Sequence, residues 1–243
     1  MTKVDHNKLD FLGHLDVLRG KLLISLAVLA AAAIVSFIFI DQVIMFLKAP
    51  VRHLTVELIY LRPQEKFITY IKIAFFSGLF AAVPVALVQL ATFILPALTK
   101  KERRYFFPAV LSVIVFFYGG AAFSYFFLTP TVFNFFIDFA KNDGVKALWS
   151  VGEYFNMLII LILMMGLVFQ TPWILLVLIK IGVLSVDMLT KYRRHVIVAI
   201  FIIAALITPT VDLYTQSIVG VTLYLLYEFT IILARILFRE KKR

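Results

Sequence analysis

The sequence predicts an all-α polytopic membrane protein with six transmembrane helices, both termini on the cytoplasmic side, and short last two spans. Three observations carry this. The chain is 63% hydrophobic and only 16% charged over 243 residues, whereas soluble domains hold about 45–50% apolar and about 25% charged residues. Residues 73–98 and 105–137 contain no charged residue, and at about 1.5 Å of helix rise per residue each crosses a hydrocarbon core about 30 Å thick. The stretch between them holds Lys100, Lys101, Arg103 and Arg104 around a single acid, Glu102. A short link with this many cations resists transfer across the bilayer, which places it on the cytoplasmic side and fixes the direction of every other span.

The elements follow in order, as parts of one transmembrane domain, 1–243. Residues 1–21 are polar, with Leu9, Leu12, Leu15 and Leu18 at helical spacing opposite Asp10, His14 and Lys21. This predicts a cytoplasmic amphipathic helix in the interface, with the chain turning inward after it. The first span is 22–40; its 19 residues exceed a signal-peptide apolar region of about 7–15, so no cleavable signal is expected. Residues 41–71 form a first outer loop, stopped at Pro50 and β-rich over 54–61, that reads as a structured cap. The second span, 73–98, is kinked by Pro84 and ended by Pro96. The third, 105–137, is longer than the core requires and should tilt or project, with a bend at Pro130. The fourth is 154–179, with Gln170 and Pro172 inside it. Spans 196–211 and 213–234 are short, and either cross a locally thinned bilayer or form one re-entrant hairpin.

Of the 24 Lys and Arg, 17 fall on the segments this topology places in the cytoplasm, the direction expected for inner loops. The net charge of +10 therefore marks membrane topology; no basic face for nucleic acid is indicated. There is no cysteine, which excludes disulfides and thiolate chemistry. His6, His14, His53 and His195 are scattered, without metal-ligand spacing, so no metal or other cofactor is expected. No nucleophile elbow, zinc-binding helix or phosphate loop is present, and the chain reads as no enzyme.

Four places carry residues that a bare span does not need. Glu102 is either a solvated partner of Arg103 or Lys101, or a receptor carboxylate for a cationic ligand; carboxylate–guanidinium pairs are bidentate and directional, which suits arginine recognition. Gln170, near mid-membrane, is either interhelical glue or the polar floor of a cavity. Glu228 interrupts the last span and must face protein, be protonated or lie near the interface; Arg235, two turns along the same face, is its expected partner. Asp212, with Thr208, Pro209 and Gln216, makes a tight outer turn between the last spans.

The segments 11–22 (FLGHLDVLRGKL), Ala49-Pro50, 88–104 (VQLATFILPALTKKERR), 123–130 (FSYFFLTP), 166–173 (GLVFQTPW) and 206–216 (LITPTVDLYTQ) together resemble the TatC family, the multi-span core of the twin-arginine protein translocase. The resemblance implies Sec-independent export of folded proteins, a cupped helix arrangement, and a receptor for twin-arginine signal peptides in the cytoplasmic (inner) membrane of a bacterium or archaeon. It implies that Glu102 with Arg103, Leu15, Leu18, Arg19, Phe93 and Pro96 form the signal-peptide site. It also implies that Thr208 and Gln216 contact single-span TatA/TatB-type subunits, that other TatC copies join the complex, and that the proton gradient drives transport. Two positions depart from the family pattern. The usual Glu of the N-terminal motif is Val17 here, with Asp16 just before it. Gln170 stands where Glu is common, which removes a possible charge from the concave face. Pro50, Asp212 and Glu228 are read as structural.

The rival reading, a secondary transporter of a small solute, requires broken helices and paired ionisable groups at the midplane, and Gln170 alone supplies neither. A cysteine introduced at position 103 is expected to react with impermeant maleimide only from the cytoplasmic side; labelling from the opposite side would reverse the predicted direction of every span.

Overall fold

The computed structural model describes residues 6–52, 57–94, 100–141, 148–208 and 212–237, with all their side chains except those of 6–15, 94, 100–102, 104, 105 and 141. These residues are mostly helical. Five helical stretches are long and apolar enough to cross a membrane: Asp16–Ile38, Glu65–Phe93, Phe106–Ala140, Val151–Lys180 and Leu213–Leu237. The chain divides into two compact units, Met1–Leu47 with Gln64–Ile114, and Lys48–Pro63 with Val115–Arg243.

The first unit is built on helices α1 (His6–Ile38) and α3 (Glu65–Ile94), which pack along one another. Their contact surface is made of small residues. Ala74 and Ala82 are 4% and 3% exposed, and between them a Cβ on Gly78 would stand 2.5 Å from the backbone nitrogen of Ala33. Lipid gives two apolar helices no reason to leave it for each other, so close backbone approach has to supply the attraction, and only glycine allows it here. Helix α1 differs from expectation. The amphipathic segment and the first span are one unbroken helix of 33 residues, with no turn at residues 20–22. Lys, Leu and Arg there are good helix formers, and an isolated glycine costs only about 1 kcal/mol in a helix interior. A short helix α2 (Ile40–Lys48) follows. Helix α4 (Lys100–Phe123) begins in this unit and absorbs the basic run, so Glu102 and Arg103 lie on a helix and not in a loop.

The second unit holds the larger core. Leu128, Val132, Leu161, Met165, Ile200, Val219 and Ile231 meet in one cluster. The expected bend at Pro130 takes a specific form. The helix widens to a π turn over Ser124–Leu128, where the Thr129 N–H reaches back five residues to the Ser124 carbonyl, and continues as α5 (Thr129–Lys141). Pro130 brings no N–H and crowds the turn before it, and the wider turn accommodates that. Residues 41–71, expected as a structured cap, hold most of α2, a 3-10 turn, a short strand and the start of α3 among the described residues. Pro50 sits in a short 3-10 turn, Ala49–Val51, against α5. Strand β1 (Glu57–Ile59) pairs in parallel with β2 (Leu148–Ser150), and Ser150 then caps helix α6 (Val151–Val168) by accepting from the Glu153 N–H at 3.3 Å.

The fourth span is broken into α6 and α7 (Thr171–Lys180) around Gln170. Two side chains repair the break. The Gln170 N–H bonds to Leu167 instead of Gly166, and its own Nε2 donates to the Gly166 carbonyl at 3.4 Å; Thr171 Oγ1 donates to the Val168 carbonyl at 2.7 Å, which the missing Pro172 N–H leaves open. After α8 (Val186–Lys191) come α9 (Arg193–Ile207) and α10 (Leu213–Leu237). The expectation of two short last spans fails for the second, and α9 is not among the described helices long and apolar enough to cross a membrane. Helix α9 has 15 residues, but α10 is one continuous helix of 25, about 37 Å long. Glu228 does not interrupt it.

Adjacent glycines give a direct test of the packing beside the kink. A Cβ on Gly120 would stand 2.4 Å from the Met165 carbonyl oxygen, while one on Gly119 meets nothing within 4 Å. Gly120→Ala is expected to lower stability by about 1–3 kcal/mol and Gly119→Ala to leave it level or raised, read as thermal midpoints in one detergent.

Candidate functional site

Of the predicted recognition residues, Asp16, Leu18 and Arg19 lie on α1, Phe93 in the last turn of α3, and Glu102 and Arg103 in the first turn of α4. Lys21 of α1 donates to Thr92 Oγ1 in the last turn of α3, and Thr92 passes the bond on to the Gln89 carbonyl at 3.0 Å. Sequence reasoning missed this bond; its signal is a lone lysine one residue ahead of an uncharged run. It fixes the register of the two helices, so Asp16, Arg19 and Leu18 stand beside the end of α3 that carries Phe93. Asp16 and Arg19 are exposed, Leu18 and Phe93 half-buried. On α1 the acid points about 100° away from the Val17 direction. Glu102 lies in the first turn of α4 and Arg103 beside it is exposed. Pro96 and the side chains of Leu15 and Glu102 lie outside the described residues.

A second group lies on α9 and α10. Asp212 caps α10, its Oδ1 accepting from the Thr215 N–H at 2.6 Å, which is the anchoring role read for it. Gln216 Nε2 donates to the Phe201 carbonyl at 3.1 Å and holds the two helices together. Thr208 is buried just after α9. Three buried oxygens here, Thr208 Oγ1, Asp212 Oδ2 and Thr215 Oγ1, have no hydrogen-bond partner among the described residues. Exposed Leu206 and Leu213 flank them.

At the other end of these helices Glu228 finds a different partner from the one expected. Arg193, the first residue of α9, donates from Nη2 to Glu228 Oε2 at 2.9 Å, and the Tyr224 hydroxyl donates to Oε1 at 3.1 Å. Arg235, seven residues on, would be about 10 Å away along the axis; a neighbouring helix offers a closer cation. Next to Glu228, the Tyr227 hydroxyl donates to the Leu189 carbonyl at 2.6 Å and pins α8 to α10. Gln170 Nε2 donates within its own turn.

The family model described as "Sec-independent protein translocase protein (TatC)" matches residues 13–221. The chain is 38% identical over 223 residues to the chloroplastic Sec-independent protein translocase protein TATC of Arabidopsis thaliana, covering 92% of this chain and 65% of that one. It is 34% identical over 216 residues to the TatC protein of Synechocystis, covering 89% and 84%. It thus spans less than two thirds of the length of the chloroplast relative. The crystal structure of the twin-arginine translocase receptor TatC in the detergent DDM superposes with a TM-score of 0.77 at 36% identity, covering 90% of this chain and 98% of that one.

The Arg193–Glu228 pair yields a thermodynamic cycle. Glu228→Ala is expected to destabilise the protein by about 1–3 kcal/mol because it strands a half-buried guanidinium. Adding Arg193→Ala to it should cost little more, leaving a coupling of about 0.5–3 kcal/mol; additive losses in thermal denaturation would show that the pair contributes nothing.

Proposed function

Because the chain belongs to the TatC family of Sec-independent protein translocase proteins, as a multi-pass inner-membrane protein, we propose that it is the receptor subunit that binds twin-arginine signal peptides and nucleates the translocase for folded proteins. In this reading α9 is a sixth, short span, both termini are cytoplasmic, and the spans form a cup. The bias of Lys and Arg toward segments 1–21, 95–104, 180–195 and 235–243 supports that direction.

The observation that carries the receptor reading is the meeting of two separate sequence segments at one end of the first unit. The Lys21–Thr92 bond sets the N-terminal segment against the end of α3, and Glu102 follows in sequence in the first turn of α4. The two arginines of a signal peptide dock on Glu102, with Asp16 as the auxiliary acid, and Leu15, Leu18, Phe93 and Pro96 receive the apolar residues that follow. A charge-assisted bidentate pair gives the specificity for arginine over lysine. The apolar stretch then lies along the concave face toward Gln170. Single-span TatA/TatB-type subunits dock at the α9–α10 turn, where Thr208, Asp212 and Thr215 present oxygens that lack donors and Gln216 borders them. The proton gradient supplies the energy.

Since the chain has no cysteine, single cysteines at positions 16 and 102 allow site-specific crosslinking to a signal peptide, with a twin-lysine peptide as control. Crosslinking is expected at both positions with the twin-arginine peptide only. In the cysteine-free protein, Glu102→Gln should weaken twin-arginine peptide binding by about tenfold or more, the loss of hydrogen bonds to a charged group. Unchanged binding and export would remove Glu102 from the site, and an unchanged Asp16→Asn variant would remove only the auxiliary contact.

A further inference from the structure

We propose that the connection from α7 to α9, residues 181–195, is a preformed platform that binds anionic phospholipid headgroups, independently of signal-peptide recognition. The segment is built rigidly. Gly182, at φ +82°, closes α7, with its own N–H on the Ile179 carbonyl at 3.1 Å and the Val183 N–H on Leu178 at 3.0 Å; this is a left-handed helix stop that favours glycine. Ser185 then caps α8 by accepting from the Met188 N–H at 3.1 Å. Leu189 is buried and its carbonyl is held by Tyr227, so the opposite side of α8 is fixed outward.

That outward side mixes two kinds of residue. Ile181 and Val183 are 64% and 60% exposed, with Met188 and Tyr192 also exposed. Among them stand Lys180, Lys191 and Arg194, all exposed, and the Lys191 ammonium lies 5.7 Å from the centre of the Tyr192 ring. Arg193 is held by Glu228, which fixes one side of its guanidinium, and the side chain stays 42% exposed. In water, so many exposed apolar side chains on a short rigid connection would be costly, and in hydrocarbon the cations would be. Both are satisfied at one depth only, the boundary between acyl chains and headgroups, where α7 and α9 end. There the cations outnumber the acids Asp187 and Glu228, so phosphate-bearing anionic lipids are favoured over zwitterionic ones.

The test uses the full chain purified in detergent and offered phosphatidylglycerol and phosphatidylcholine of equal chain length, with bound lipid counted by native mass spectrometry. The wild type is expected to retain phosphatidylglycerol preferentially. Lys191→Gln with Arg194→Gln should cut that preference by about fivefold for each charge removed, with twin-arginine peptide binding unchanged. An unaltered preference in the double variant, or none in the wild type, overturns the proposal. Displacement of the lipid by excess inorganic phosphate would overturn it in favour of a small-anion site. A second measurement covers the case in which the double variant misfolds. Val183→Cys carrying an environment-sensitive fluorophore should be quenched in vesicles by a lipid-borne quencher at headgroup depth; quenching by aqueous iodide alone overturns the platform.

Discussion

A backbone in hydrocarbon must satisfy its own hydrogen bonds, because no water is present to do so. This constraint explains the places where the helices of this chain are irregular. At Pro130 the helix widens to a π turn and keeps its bonds by reaching one residue further back. At Pro172 the open carbonyls are closed by Thr171 and Gln170 from the same turn. At that break one hydroxyl and one amide thus serve as spare donors where a proline has removed one.

The second constraint is charge. Ionisable groups are kept to helix ends or paired. Lys21 is satisfied by Thr92, and Glu228 by Arg193 and Tyr224. The Lys21–Thr92 and Arg193–Glu228 bonds join residues far apart in sequence, so each also sets the register of two helices. The same interactions that make charge tolerable in the membrane hold the helix ends in place. The Lys21–Thr92 bond joins α1 to α3, and the α9–α10 pair is clasped at one end by Arg193 and at the other by Gln216.

The fold class was legible because uncharged runs of 26 and 33 residues admit few other readings. Asp212 and Pro50 were legible because turn and cap chemistry is local, and Pro130 marked where the helix leaves regular α geometry, though not as a π turn. What was not legible depended on lateral neighbours. The Ala74–Gly78–Ala82 stripe is readable as small residues four apart, but its partner, Ala33, is not. Glu228 looked like the end of a short span because its own helix offered only Arg235; the cation that lets α10 run on through Leu237 lies 35 positions back in sequence. The basic run at residues 100–104 read as a link because charge suggested a boundary, although Lys, Glu and Arg all favour helix. Of the recognition site, the resemblance supplied the residues, and the structure added the bond that sets the two helices in register.

The π turn has one more consequence, for rotational phase. One residue more than a regular turn requires turns everything after it by about 100° relative to an unbroken helix. Val132 and Phe133 are buried in the second unit at that phase, with the Phe133 ring tilted against those of Trp149 and Tyr154 at centroid separations of 5.2 and 5.1 Å. The surplus residue therefore acts as a spacer that aims α5: shorten the segment 124–128 by one, and the helix regains regularity while presenting its aromatic face in the wrong direction.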